Sequence, residues 1–187
     1  MARIYLIRHG KPSSTWGGHD ADPGLDEAGR AQARQARDWL LAQAERPRLV
    51  VSSPLRRCRE TADPTTLALS VDVEVDPRVG EIPTPAALAE AERPAWLRQA
   101  FAGTWDQIQG DLDYVAWRAE IVGSLLARGD TAVFSHYVAI NAVVSYLTGD
   151  DRVMSFRPDH ASITVLETDG RSLRLVTPGV EAVTGVL

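Results

Sequence analysis

The apolar residues of this chain fall into short continuous blocks, separated by longer stretches in which they recur every three or four positions. Ile4-Tyr5-Leu6-Ile7, Leu49-Val50-Val51-Ser52 and Thr131-Ala132-Val133-Phe134-Ser135 are unbroken runs, the pattern of strands buried on both faces. Val71-Asp72-Val73-Glu74-Val75 alternates strictly and predicts a half-exposed strand. Asp26 is placed to cap a helix reaching about Ala44, with Ala28, Ala36, Trp39 and Leu40 facing inward. Ser53-Pro54 reads as an N-cap followed by proline at the first helical position, opening a helix towards Ala62. Leu112, Val115, Ala119, Val122 and Leu126 step by three and four, an amphipathic helix. The run from Val138 to Leu147 is apolar nearly all round and predicts a deeply buried helix. Two strands, 162–166 and 172–176, flank the turn signal Thr168-Asp169-Gly170.

The stretch from Asp76 to Gly110 departs from this regularity. Prolines 77, 83, 85 and 94 interrupt it, so its helices, around 86–92 and 94–102, should be short. Elsewhere strands alternate with helices, which predicts a mostly parallel sheet covered on both faces, a three-layer α/β/α sandwich. With no linker or repeat, residues 1–187 read as one domain carrying an irregular, lid-like segment at about 76–110. Ligands in such sheets sit beyond the C-terminal ends of the strands, and that is where chemistry is expected.

Composition narrows the function classes. A hydrophobic content of 44% is that of a globular protein, and no apolar run approaches the roughly 20 residues of a membrane helix. The formal charge of −5 argues against a broad nucleic-acid surface. The opening Met1–Ile7 turns polar too early for a signal peptide, and the single cysteine, Cys58, forms no internal disulfide. A cytoplasmic enzyme without membrane or nucleic-acid partners is the expectation. Oligomeric state is left open.

Three of the buried runs lead directly into reactive residues. The first ends in Arg8-His9-Gly10, the second leads to Ser53 and Arg56-Arg57, and the third ends in Ser135-His136. Gly10 offers backbone freedom for close approach of a ligand. Histidines and arginines gathered at one sheet edge make an anion site. The guanidinium fork suits phosphate oxygens, and an imidazole among them can serve as a nucleophile holding a phosphoryl group. The histidines show no spacing of the known zinc types, so neither metal nor cofactor is expected.

Arg8-His9-Gly10 resembles the signature of the histidine phosphatase superfamily, whose fold is phosphoglycerate-mutase-like. Asp22-Pro23 with Leu25, Gly29 and Gln32 is similar to that family's segment entering the first helix. Ser53-Pro54-Leu55-Arg56-Arg57 before Thr61-Ala62 resembles its Ser-x-Leu-x-Arg signature, and His136 matches its second histidine. The resemblance implies that His9 is a transiently phosphorylated nucleophile and that Arg8, Arg57 and His136 hold the phosphoryl oxygens. Arg57 is preferred to Arg56 because it fills the final position of the motif. A glutamate on the loop after the third strand, here Glu81, is implied as the general acid.

Three positions depart from the family pattern. Thr15 stands where an asparagine is common, and its hydroxyl can still serve phosphate. Tyr137 replaces the glycine after the second histidine, and keeps a backbone N–H there. Glu81 runs into Pro83-Thr84-Pro85 rather than the usual Gly-x-x-Glu-Gly. Cys58 reads as packing and His19 as a solvated loop residue; His160, beside Asp159, reads either as lining the rim of the site or, in preference, as a surface ion pair. Trp96, Trp105 and Trp117 read either as a lid over the leaving group or as packing for short helices.

The expected function is metal-independent hydrolysis of phosphomonoesters through a phosphohistidine at His9, on a phosphorylated small molecule or a phosphoprotein. Hydrolysis is preferred to mutase activity because the chain lacks the longer insertions of the classical mutases it resembles. A phosphoglycerate-mutase-type phosphotransferase stays open as an alternative, as does a catalytically weak module that binds phosphate esters or phosphoproteins.

Overall fold

The computed structural model describes residues 1–14 and 20–183; Thr15 and His19 lie outside the described residues. Six strands form one sheet: β1 (Ala2–Arg8), β2 (Leu49–Ser52), β3 (Val73–Val75), β4 (Thr131–Ser135), β5 (Ile163–Thr168) and β6 (Leu173–Thr177). Their order is β3-β2-β4-β1-β5-β6. The four strands β3, β2, β4 and β1 run parallel, whereas β5 is antiparallel to β1 and β6 antiparallel to β5. Gly170, at φ 83°, turns the β5–β6 hairpin as the sequence signal implied.

The three layers follow from side-chain alternation along the buried strands. Ile4, Leu6, Val51 and Val133 point to one face, and Tyr5, Ile7, Val50, Ala132 and Phe134 to the other. Helices α1 (Glu27–Leu41) and α2 (Arg56–Leu69) supply Leu40, Cys58 and Ala62 to the second cluster. Helices α4 (Tyr114–Leu126) and α5 (Tyr137–Thr148) supply Tyr114, Ile121, Leu125, Ile140 and Val143 to the first.

Several local expectations shift. Asp26 does cap α1, its carboxylate accepting from Gly29 N–H at 2.7 Å, but the helix stops at Leu41. Its buried face is Gly29, Ala33, Ala36 and Leu40, while Ala28 and Trp39 are exposed. Helix α2 begins at Arg56 and runs through Pro64 to Leu69, well past Ala62. Helix α4 is rotated from the expected stripe. Leu112 and Val115 are exposed, and Tyr114, Arg118, Ile121, Val122 and Leu125 turn inward.

Between β3 and α4 the chain forms single 3-10 turns and one short helix, α3 (Arg93–Ala102). The tryptophans here pack. Trp105 is fully buried, donates its indole N–H to Ser145 Oγ at 3.0 Å and meets Trp117 at 6.1 Å between ring centres. Trp96 donates to Gln109 O at 2.7 Å and lies against Tyr114.

Candidate active site

Strand pairing brings the reactive residues together. Arg8 pairs with Ser135 across β1–β4, and Ser52 with Phe134 across β2–β4. Because these three strands are adjacent and parallel, the residues that follow their C-termini must share one edge. His9 and His136 accordingly lie with ring centres 5.4 Å apart, both buried. The His9 backbone N–H donates to Ser135 O at 3.0 Å, which fixes the end of β1 to the end of β4.

Gly10 owes its place to packing rather than to ligand approach. A Cβ there would sit 2.6 Å from Gly29 O, and its φ is not positive. The two glycines let α1 lie against the loop after β1. That contact holds Gly10 O within 2.8 Å of His9 Nδ1. With its proton on Nδ1, donated to that carbonyl, His9 carries its lone pair on Nε2. Burial first, and then the charges of Arg57 and Arg8, push His9 well below the ordinary imidazole range. The ring is therefore neutral at pH 7, the state a nitrogen nucleophile requires.

Arg57 is buried on the first turn of α2, and its NH2 lies 3.2 Å from His136 Nδ1 and 3.4 Å from Glu81 Oε2. Glu81 also stands 3.5 Å from His136 Nδ1 and accepts from the Ile82 N–H at 3.1 Å. The structure thus brings Glu81 into the cluster with His9, Arg8, Arg57 and His136. Desolvation raises its carboxyl above the ordinary range, with Arg57 opposing the rise. Arg93, at the start of α3, adds a half-buried positive charge felt by both Glu81 and His136. Arg56 points away: its Nε binds Glu60 at 2.6 Å on the exposed side of α2.

His136 is held from behind. Its Nε2 lies 2.7 Å from Ser53 Oγ and 3.3 Å from Cys58 Sγ, whose thiol donates to Ser135 O at 3.4 Å. Burial pushes that thiol up, so it stays protonated. Ser53 was expected as the cap of α2, but the N-cap is Leu55 and the serine hydroxyl serves the histidine instead.

Arg8 is also buried. Its NH1 donates to Pro158 O at 3.0 Å, its NH2 lies 3.1 Å from His160 Nε2, and its guanidinium stacks over Tyr137 at 5.1 Å. The Tyr137 side chain therefore backs Arg8. Burial lowers Arg8 to about 10, so it remains charged at neutral pH. Its Nε–H is buried and has no hydrogen-bond partner among the described residues. His160 is the main correction. It lies 4.0 Å from Asp159, too far for a strong pair, and its ring centre is 5.8 Å from that of His9. Nothing in the local sequence distinguished it, because the contact spans 152 positions.

Two buried cations, two neutral imidazoles and a carboxyl of raised pKa gather at one sheet edge, an arrangement suited to binding an anion and able to offer a nitrogen nucleophile and a proton. On this mostly parallel, doubly covered sheet, that arrangement defines a phosphatase of the phosphoglycerate-mutase-like class. The chain belongs to the histidine phosphatase superfamily (branch 1), whose family model matches residues 4–180. It is similar to a mycobacterial glucosyl-3-phosphoglycerate phosphatase solved with inorganic phosphate, at 25% identity and TM-score 0.74 over 97% of this chain and 98% of that one. A phosphoserine phosphatase from Entamoeba histolytica, solved with 3-phosphoglyceric acid, shares the fold at 20% identity and TM-score 0.72, over 96% and 98% of the two chains. A transcription factor tau 55 kDa subunit from Saccharomyces cerevisiae is 33% identical over 42% of this chain, which spans 20% of that protein's length. Among the described residues no helix is long and apolar enough to cross a membrane.

Proposed function

We propose that the protein hydrolyses phosphomonoesters through a phosphohistidine formed on His9. The observation that carries this reading is the pair of buried, neutral imidazoles 5.4 Å apart, flanked by Arg8 and Arg57 at the C-terminal edge of the sheet. In the first step His9 Nε2 attacks phosphorus and the bond to the leaving oxygen breaks. Glu81 gives its proton to the departing alkoxide. In the second step water attacks the phosphoryl group, the P–N bond breaks, and the Glu81 carboxylate takes the water's proton. Arg8 and Arg57 neutralise the non-bridging oxygens throughout, beside the uncharged His136 ring, which is most of what phosphoryl transfer asks of a protein.

Tyr137 contributes by stacking under Arg8 and by its backbone N–H at the start of α5, and Thr15 is proposed to add a hydroxyl to the same oxygens. The irregular segment from about 76 to 110 would bound the leaving-group side, since Glu81 and Arg93 both come from it. The two similar phosphatases described above are named for glucosyl-3-phosphoglycerate and phosphoserine, each a phosphate ester close to a carboxylate, and a third similar structure is named for alpha-ribazole-5'-phosphate. Small-molecule phosphate esters are therefore the substrates to test first, ahead of phosphoproteins.

Rapid quench with 32P-labelled substrate tests the intermediate. Label stable to base and labile to acid should appear on the wild-type protein and be absent from His9→Ala. Undiminished label in that variant would overturn the assignment.

A further inference from the structure

The loop between α5 and β5 is fastened to the end of β1 by two main-chain hydrogen bonds. Arg8 N–H donates to Ser162 O at 3.2 Å, and Ala161 N–H donates to His9 O at 3.3 Å. A tight turn completes it: Ser162 N–H reaches Asp159 O at 3.1 Å, and Ala161 adopts φ 56°, a left-handed conformation uncommon for a residue with a Cβ. Asp159 spends its carboxylate inside this turn, accepting the His160 N–H at 2.8 Å. The loop so fixed presents two acceptors to a single side chain. Pro158 O takes Arg8 NH1 at 3.0 Å and His160 Nε2 takes Arg8 NH2 at 3.1 Å.

Arginine has no acceptor, so His160 Nε2 must be the accepting nitrogen and its proton must lie on Nδ1. Burial, then the positive charge of Arg8, pushes His160 down to about 4, which keeps the ring neutral and its Nε2 lone pair available. With NH1 and NH2 both anchored and Tyr137 beneath the plane, rotation of the guanidinium is blocked. The donors left over are Nε–H, which has no partner among the described residues, and the second N–H of each terminal nitrogen.

We propose that His160 is a positioning residue. As a neutral acceptor it holds the Arg8 guanidinium in the orientation that turns its remaining N–H groups to the phosphoryl oxygens. The proposal rests on the phosphatase reading of the site, but oxyanion binding tests it without turnover.

The experiment compares wild type with His160→Leu, which fills similar space without an acceptor, and His160→Gln, whose amide oxygen replaces Nε2. Inorganic phosphate is titrated into each by calorimetry, and the thermal midpoint of each is recorded. An anchored charged donor lost from an oxyanion site should weaken phosphate binding by about tenfold or more in His160→Leu, with His160→Gln restored to within about threefold of wild type. Equal weakening in both variants at unchanged thermal midpoints would overturn the proposal, as would unchanged binding in both. Should His160→Leu fail to fold, nitrogen-15 chemical shifts of the wild-type His160 ring decide instead. At pH 7 they should report Nδ1–H with an unprotonated, hydrogen-bonded Nε2; an Nε2–H tautomer or an imidazolium would refute it. Phosphate binding with the expected His160 dependence, but no ester hydrolysis, would overturn the phosphatase reading and leave the His160 assignment standing.

Discussion

Arg56 and Arg57 are neighbours in sequence and opposites in position, so replacing each with alanine separates a phosphate pocket from a solvated helix face. Arg57 is buried, with NH2 shared between His136 Nδ1 at 3.2 Å and Glu81 Oε2 at 3.4 Å. Removing one such preorganised donor from an oxyanion site costs about 2.7–4 kcal/mol, a hundredfold to a thousandfold in rate. Arg56 makes an exposed i,i+4 pair with Glu60, a contact of about 0.3–0.5 kcal/mol, so its loss should change kcat/KM by no more than about twofold. The fold should survive Arg57→Ala, because Glu81 without its cation stays protonated rather than becoming a bare buried charge. The same reasoning gives a second signature. Arg57 holds the Glu81 pKa down against desolvation, so its removal should move the basic limb of the phosphorylation rate to higher pH. Both variants would be measured in single turnover against alkyl phosphate esters at several pH values, with circular dichroism to confirm folding. Equal losses in the two variants, or a loss below tenfold in Arg57→Ala, would refute this placement of the pocket.

Glu81→Gln keeps the size of the side chain and removes its proton, so phosphorylation should slow far more with alkyl than with nitrophenyl esters in single turnover; equal slowing would make Glu81 a pocket residue only. The two buried guanidinium groups of Arg8 and Arg57 suffice to neutralise the phosphoryl oxygens, so dialysis against EDTA should leave hydrolysis unchanged, and restoration by added magnesium or zinc would contradict that. The folded-state values of His9, His136 and His160 all lie below 6.5, so their stabilisation is complete above that pH and lost as pH falls towards those values. Glu81, with its raised value, works in the opposite sense but is a single group. The urea midpoint should therefore drop between pH 7 and pH 5, and a rising midpoint would show that the imidazoles are not buried as described.

The amino-acid sequence by itself determined the main strands and which residues follow their ends. Continuous apolar runs of four and five residues favour strands largely buried on both faces, and covalent order then puts Arg8-His9, Ser53 and His136 just beyond their ends. Signatures such as Arg8-His9-Gly10 and Ser53-x-Leu55-x-Arg57 are local, so they survive without knowledge of the fold. Other features depend on how elements meet. Which stripe of α4 faces inward is decided by its contact with α5 and the segment around Trp105, and that contact buries Tyr114 and Ile121 while leaving Leu112 and Val115 in water. Gly10 looks like a ligand-approach glycine until Gly29 is found against it. Ser53 looks like a helix cap until His136, 83 positions away, takes its hydroxyl. His160 beside Asp159 looks like a surface pair, and only the antiparallel return of β5 alongside β1 carries it to Arg8. Hydrogen bonds between residues distant in the chain leave no periodicity or spacing to read, because the intervening loops set them, and only folding brings the partners within reach.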